Sequence, residues 1–179
     1  MNLSHINSIS YYQNCDYMIL DYTCRKNLEI TESLRDGKKV GSLLWVLDKT
    51  STAMGARLLR KWLERPLIDI LRIKQRQDAV EELLSDFFLR SDIKELLKNT
   101  HDLERLTGKL VCGNANARDL LAIKTAIMKL PKIKQVLLKC DSKLLNHIYE
   151  QLDTLEDVYE LLDKAISEDP PLTIKEGDI

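Results

Sequence analysis

The sequence predicts an all-α protein: an irregular multi-helix bundle with short extended segments near both ends. Three observations carry that expectation. Glycine (6) and proline (4) are scarce among the 179 residues, and aromatics make up only 6%. The abundant residues are Leu, Lys, Glu and Asp, a composition that favours helix over strand. From Ser42 onward, apolar residues recur three and four positions apart, the spacing of one helix face, and polar residues able to cap a helix precede most of these stretches. At 44% hydrophobic and 31% charged the chain is no disordered polymer, and a domain of this length buries roughly 70% of its unfolded surface without a disulfide or metal staple.

Taken in order, residues 1–15 are rich in Ser, Asn and Tyr, hold few aliphatics and show no sustained period. Between Asp16 and Thr31 the short apolar alternations Tyr17, Ile19 and Leu28, Ile30 suggest brief extended pieces. Leu34 to Gly41 is a polar turn by composition. Ser42 is placed to cap a short helix through Leu43, Leu44, Trp45 and Leu47. The Ser51 and Thr52 hydroxyls can then accept unpaired N–H groups of a helix running to about Glu64, with Met54, Leu58, Leu59, Trp62 and Leu63 on its apolar side. Pro66 ends it, because the residue before a proline is pushed out of the α region. Asp69 caps a helix with Ile70, Ile73, Val80 and Leu84 at heptad-like spacing. After Ser85-Asp86 come Leu89, Ile93, Leu96 and Leu97, then a short helix through Leu103, Leu106 and Leu110 that stops near Gly113. Asn116 with Asp119 forms a capping-box pattern, and Pro131 suits a first helical turn. Thr154 with Asp157 repeats the cap pattern before Leu155, Val158, Leu162 and Ile166. Asp169-Pro170-Pro171 closes the helical part, and Leu172-Thr173-Ile174 alternates like a strand. This makes eight or nine helices, with no fixed-period repeat of the solenoid kind.

The chemistry an enzyme needs is missing from this sequence. It contains no phosphate-cradling G-x-x-x-x-G-K-[ST], no G-x-G-x-x-G, no G-x-S-x-G elbow and no H-E-x-x-H. Cys15, Cys24, Cys112 and Cys140 are scattered without a C-x-x-C pair, a pattern of free thiols rather than a zinc site. His5, His101 and His147 stand far apart. Paired acids such as Glu81-Glu82 point in different directions on a helix and read as a solvated face. No apolar run approaches the roughly 18 residues of a membrane span, and the start carries no secretory pattern. The sequence therefore predicts no catalytic residue, no cofactor and no metal in this segment.

Charge is the remaining lead. The formal net charge is −1, yet residues 141–179 hold 11 acids against 3 bases while residues 1–140 hold 24 bases against 17 acids. Arg57, Arg60, Lys61 and Arg65 fall within nine residues on a polar helix face. Lys124, Lys129, Lys132, Lys134 and Lys139 share a stretch without acids. Either group supplies the cations that phosphate contact requires, and the first is equally what a helix facing an acidic neighbour would carry. The Arg57 group is the candidate for nucleic-acid or interdomain contact.

Several motifs occur together and in order. Val46-Leu47-Asp48 with Thr50 is followed by Thr52, Met54, Gly55, Arg57, Leu58 and Leu59, then by Trp62-Leu63 and Pro66-Leu67. Arg76–Leu83 (RQDAVEEL), Asp102–Leu106 (DLERL), Gly113–Lys124 (GNANARDLLAIK) and Asp169–Ile179 (DPPLTIKEGDI) continue the series. Residues 16–37 precede it with DYMILDYTCRKNLEITESLRDG. This set resembles the MutS family of DNA mismatch-recognition ATPases from about residue 16 to the last residue. Two positions depart from the family pattern: Cys24 stands where Thr is usual, losing a possible cap hydroxyl, and Asp178 stands where Gly is common, which puts a positive-φ turn in doubt.

The resemblance implies that residues 1–15 are the tail of a connector domain and residues 16–179 the first half of the core, or lever, domain, ending before the clamp. It implies a coupling role between mismatched duplex DNA and an ATPase elsewhere in the full-length protein, where ATP and magnesium would bind. Implied partners are the clamp, connector and ATPase domains, mismatched DNA, a second MutS copy and a MutL-type protein, in a cytoplasmic, nucleoid-associated setting without membrane. Asp48, Thr52, Gly55, Trp62, Pro66, Asp102, Arg105 and Asp119 are the motif residues, expected to be structural. The competing expectation is a stand-alone helical adaptor that binds duplex backbone through its basic helix faces.

Overall fold

Caps and proline stops mark out the helices largely where the polar spacing predicts. The computed structural model describes residues 16–98, 100–167 and 169–171. Within them run ten α-helices: α1 (Tyr22–Asn27), α2 (Leu43–Leu47), α3 (Ala53–Glu64), α4 (Ile70–Ser85), α5 (Phe87–Leu97), α6 (Leu103–Val111), α7 (Ala117–Ile127), α8 (Leu130–Leu137), α9 (Lys143–Gln151) and α10 (Glu156–Ala165). The all-α expectation holds. Among the described residues the only extended pairing is an isolated antiparallel bridge, Tyr17 to Leu67.

The chain forms two compact units, one of Met1–Leu47 with Arg60–Ile73, the other of Asp48–Leu59 with Lys74–Ile179. In the first, the Met18 N–H donates to the Pro66 carbonyl (2.8 Å) and the Ile68 N–H to the Asp16 carbonyl (3.2 Å), flanking the bridge. Ile30, Leu44 and Leu67 are its buried apolar side chains. The Ser42 side chain, 1% exposed, donates to the Lys39 carbonyl (2.6 Å) and accepts from the Trp45 N–H (3.2 Å). Its burial is therefore free of an unpaired hydroxyl. Gly41 takes φ +90° at the turn before it, a conformation glycine adopts without the steric cost of a Cβ.

The second unit holds two apolar clusters. Ala79, Leu89, Leu137, Cys140 and Leu145 join α4, α5, α8, the turn after it and α9. Leu106, Ile123, Ile127 and Leu162 join α6, α7 and α10, with Leu120, Leu130 and Tyr159 packed around them. Each fully buried Leu or Ile here contributes about 1.5–3 kcal/mol by leaving water.

Several expectations need correction or fall outside the described residues. Between Asp16 and Thr31 the chain makes the short helix α1, not a run of extended pieces. Asp21 caps it by accepting from the Cys24 N–H (2.6 Å), so Cys24 in place of Thr removes no cap. In α4 the heptad-like set is not the buried one: Ile70, Val80 and Leu84 are 67%, 64% and 71% exposed, while Ala79 is buried. One residue turns a helix by about 100°, and the small Ala79 sets which flank packs closely. At α10, Thr154 does not cap. Leu155 occupies that place in the left-handed region (φ 53°), and the Asp153 carboxylate accepts the Leu155 N–H (3.0 Å). The strand expected at Leu172–Ile174, and Asp178, lie outside the described residues.

Candidate functional site

The motif that begins at Asp48 builds the start of α3 from local hydrogen bonds. Asp48 Oδ1 accepts from the Thr50 hydroxyl (2.7 Å) and the Thr50 N–H (3.3 Å), an Asx-type turn. Thr52 Oγ1 then accepts from the Gly55 N–H (3.0 Å), the N-cap bond the spacing predicts. A Cβ at Gly55 would lie 3.1 Å from that same oxygen, which explains why glycine stands where helix propensity would prefer alanine.

Arg57 follows within the first turns of α3. Its Nη1 and Nη2 donate to the two oxygens of Asp102 (2.7 and 2.8 Å), while Nε donates to Glu104 Oε2 (3.1 Å) and Nη2 bonds the same oxygen. Asp102 is itself the N-cap of α6, accepting from the Arg105 N–H (3.2 Å), and Glu104 sits in that helix's first turn. Two acids at a helix N-terminus are favoured by its dipole, and the planar guanidinium matches a carboxylate two bonds at a time. Hydrogen bonds from Arg57, and less the Arg105 N–H, hold the Asp102 carboxyl down at about 2. Asp102 and then Glu104 push the Arg57 guanidinium further toward its charged form. Arg57 and Asp102, from two separate stretches of the motif series, thus meet in one clasp between the first turns of α3 and the start of α6.

Two further joints repeat this design. Asp119 completes the capping box of α7 with Asn116 (2.8 and 3.1 Å) and also accepts from Lys109 Nζ on α6 (2.9 and 3.1 Å). Lys109 and then the Asn116 N–H lower its pKa. Glu82 of α4 accepts the N–H groups of Asp141 (2.6 Å) and Ser142 (3.0 Å), capping α9 from another helix. Burial works against its charge, but these hydrogen bonds prevail and its pKa is lowered.

The remaining predicted residues do not gather into one site. Arg60 pairs with Glu64 one turn on (2.9 Å), and Lys61, Arg65 and Arg105 are exposed. Trp62 is 37% exposed, and Pro66 offers its carbonyl to Met18. Of the second basic run, Lys124 pairs with Asp163 (2.7 Å), Lys129 donates to the Lys98 carbonyl (2.9 Å) and Lys134 to the Leu152 carbonyl (2.6 Å). Only Lys132 and Lys139 of that run are exposed. His101 and His147 are exposed on separate elements. Among the described residues no three His, Cys, Asp or Glu side chains are placed to hold a metal ion, and no helix is long and apolar enough to cross a membrane. Sequence reasoning missed Glu104, Lys109 and Glu82. Glu104 carried a usable signal as an acid in a first helical turn, whereas Glu82 looked like half of a solvated pair.

These joints define a class: an all-helical module whose motif side chains tie helix ends together. The MutS domain III family model matches residues 23–179, and the chain belongs to that family. It is 49% identical over its whole length to the DNA mismatch repair protein MutS of Clostridium perfringens. It is also 52% identical to those of Acetivibrio thermocellus (100% of this chain) and Caldanaerobacter subterraneus subsp. tengcongensis (99%). The chain spans about a fifth of the length of these curated relatives.

Proposed function

We propose that this chain is the first half of the core, or lever, domain of a MutS-type mismatch-recognition ATPase. In this reading it couples mismatched-DNA binding to ATP hydrolysis elsewhere in the full-length protein during DNA mismatch repair. Residues 1–15 would end the preceding connector, and ATP with magnesium would be held by the ATPase domain, not by these residues. The setting is a cytoplasmic homodimer working with a MutL-type partner. One observation carries the reading: the family-motif residues Arg57 and Asp102 meet in a joint between two helices, α3 and α6. Coupling requires elements whose arrangement both ligands can bias, and a polar clasp at two helix ends is suited to transmit a shift between them.

The test belongs in the full-length protein. Arg57→Ala should leave mismatch affinity and basal ATP hydrolysis near their original values while reducing the stimulation of hydrolysis by mismatched DNA. Loss of DNA affinity with a shallower salt dependence would instead favour the adaptor reading. That alternative is weakened because Arg57, Arg60, Lys124, Lys129 and Lys134 already bond to groups of this chain.

A further inference from the structure

Two surfaces of opposite charge lie on separate elements of the second unit. Lys49, Gly55, Arg90, Ile93, Lys94 and Leu97 line an open groove of about 350 Å3 between the start of α3 and one side of α5. Among the described residues no Asp or Glu lines it. Ile93 and Leu97 are half-buried and give it an apolar floor, while Lys49 and Lys94 are exposed. Arg90 is already engaged, donating to the Leu83 and Leu84 carbonyls (2.9 Å each). Lys49 and Lys94 make no hydrogen bond or ion pair with another described residue. The other surface is on α10. Leu162 is buried there, with Val158 and Tyr159 packed beside it, and Asp157, Glu160 and Leu161 are all exposed, Leu161 by 66%. Asp157 and Leu161 stand one turn apart with Glu160 beside them, so two acids flank one aliphatic side chain. Glu160 pairs with exposed Lys164 one turn on (3.4 Å), a contact that gives way at little cost.

We propose that this groove receives α10 of a second copy of the chain, Leu161 resting on Ile93 and Leu97 while Asp157 and Glu160 face Lys94 and Lys49. An amphipathic helix is recognised in this way, through anchors one turn apart. The occupant is a second copy because both halves of the match are carried by one chain. Residues 141–179 hold 11 acids against 3 bases and residues 1–140 hold 24 bases against 17 acids. With a formal net charge of −1, no overall repulsion opposes the approach of two copies. A nucleic-acid backbone fits less well, because its phosphates gain nothing from the Ile93 and Leu97 floor. Groove and helix are different surfaces, so the contact is heterologous and repeats from copy to copy, unlike the two-fold contact of a closed dimer. One helix face is smaller than the roughly 1,200 Å2 of a stable interface, so the association is weak and rises with concentration. The proposal goes beyond the coupling reading and does not depend on it, since none of these side chains belongs to the Arg57 clasp.

Sedimentation equilibrium of the chain over a range of concentrations, at low and at high salt, tests it. The expected result is an average mass that climbs with concentration at low salt and falls back to the monomer at high salt, where exposed ion pairs are screened. Lys94→Glu spoils the groove and leaves α10 intact, whereas Asp157→Asn with Glu160→Gln spoils the helix face and leaves the groove intact. Each variant alone should stay monomeric, and all three substitutions are at exposed positions. Their equimolar mixture keeps one working contact, so it should recover association and stop at the dimer. A chain that is monomeric at every concentration overturns the proposal, whether or not its groove binds duplex DNA. Association that survives high salt or persists in either variant, as contact through the exposed Phe87 and Phe88 would, overturns it too. So does a mixture that remains monomeric.

Discussion

Arg57 directs four hydrogen bonds at two carboxylates that lie 45 and 47 residues further along the chain. Its geometry, rather than its charge, does the joining, because only a planar fork can engage both Asp102 oxygens and Glu104 together. Arg57→Lys retains the charge and loses that match. We expect faster hydrogen exchange at the first-turn amides of α6, the Arg105 N–H above all, with α7 unchanged. Equal exchange in both variants of α6 would show that charge alone suffices. At the same scale, Gly55 shows a rule of helix propensity yielding to local space: an alanine would gain backbone order, but its Cβ would press on the cap oxygen of Thr52 at 3.1 Å.

At the scale of elements, helices of the second unit are held at their ends as well as along their faces. The N-termini of α6, α7 and α9 each meet a charged side chain from another helix: Arg57 through Asp102, Lys109 through Asp119, and Glu82 directly. The α9 joint is the most separable, because Ser142 makes no side-chain cap bond of its own. Glu82→Ala should lower stability by about 1–2 kcal/mol, the usual loss when a cap is removed, with Glu82→Gln nearer half of that. Glu81→Ala, one residue away on the solvent side, should change little. Urea unfolding of the three variants checks the ordering, and an equal effect at Glu81 would mean that net charge and not capping is responsible. Element existence was largely legible from the sequence: Ser42, Thr52, Asp69 and Asn116 accept helix N-terminal amides as their positions imply, whereas the caps at Asp86 and Asp102 emerged only in the structure. Thr154 was not legible, because Leu155 in the left-handed region takes the N-cap place, where no side chain makes a cap bond.

For the whole molecule, these shared carboxylates set a pH dependence. The pKa values of Asp102, Asp119 and Glu82 are all lowered in the folded state, Asp102 to about 2. Groups of this kind contribute stability that is present above their unfolded values, about 3.9 for Asp and 4.3 for Glu. That contribution is lost as pH falls through the folded values. The urea midpoint should therefore be nearly level from about pH 8 to 5 and decline steadily below about 4. Asp102→Asn should lessen the fall at the lowest pH. A midpoint unchanged down to pH 3 would contradict the role given to these joints. Burial raises the pKa of Cys140, so a further loss is expected at alkaline pH, as the medium rises through its folded value.

What the sequence determined by itself was local. Helical period, caps and proline stops act between residues within about one turn of each other, so they are written in short stretches of chain. The ordered family motifs added which family those stretches belong to. The tertiary structure decided which flank of α4 is covered, and which of the clustered cations are engaged. It also decided that Glu82 serves α9 across 59 residues of sequence. Those outcomes depend on which distant side chains the fold brings within hydrogen-bond reach, and a charge in a sequence carries no record of its partner.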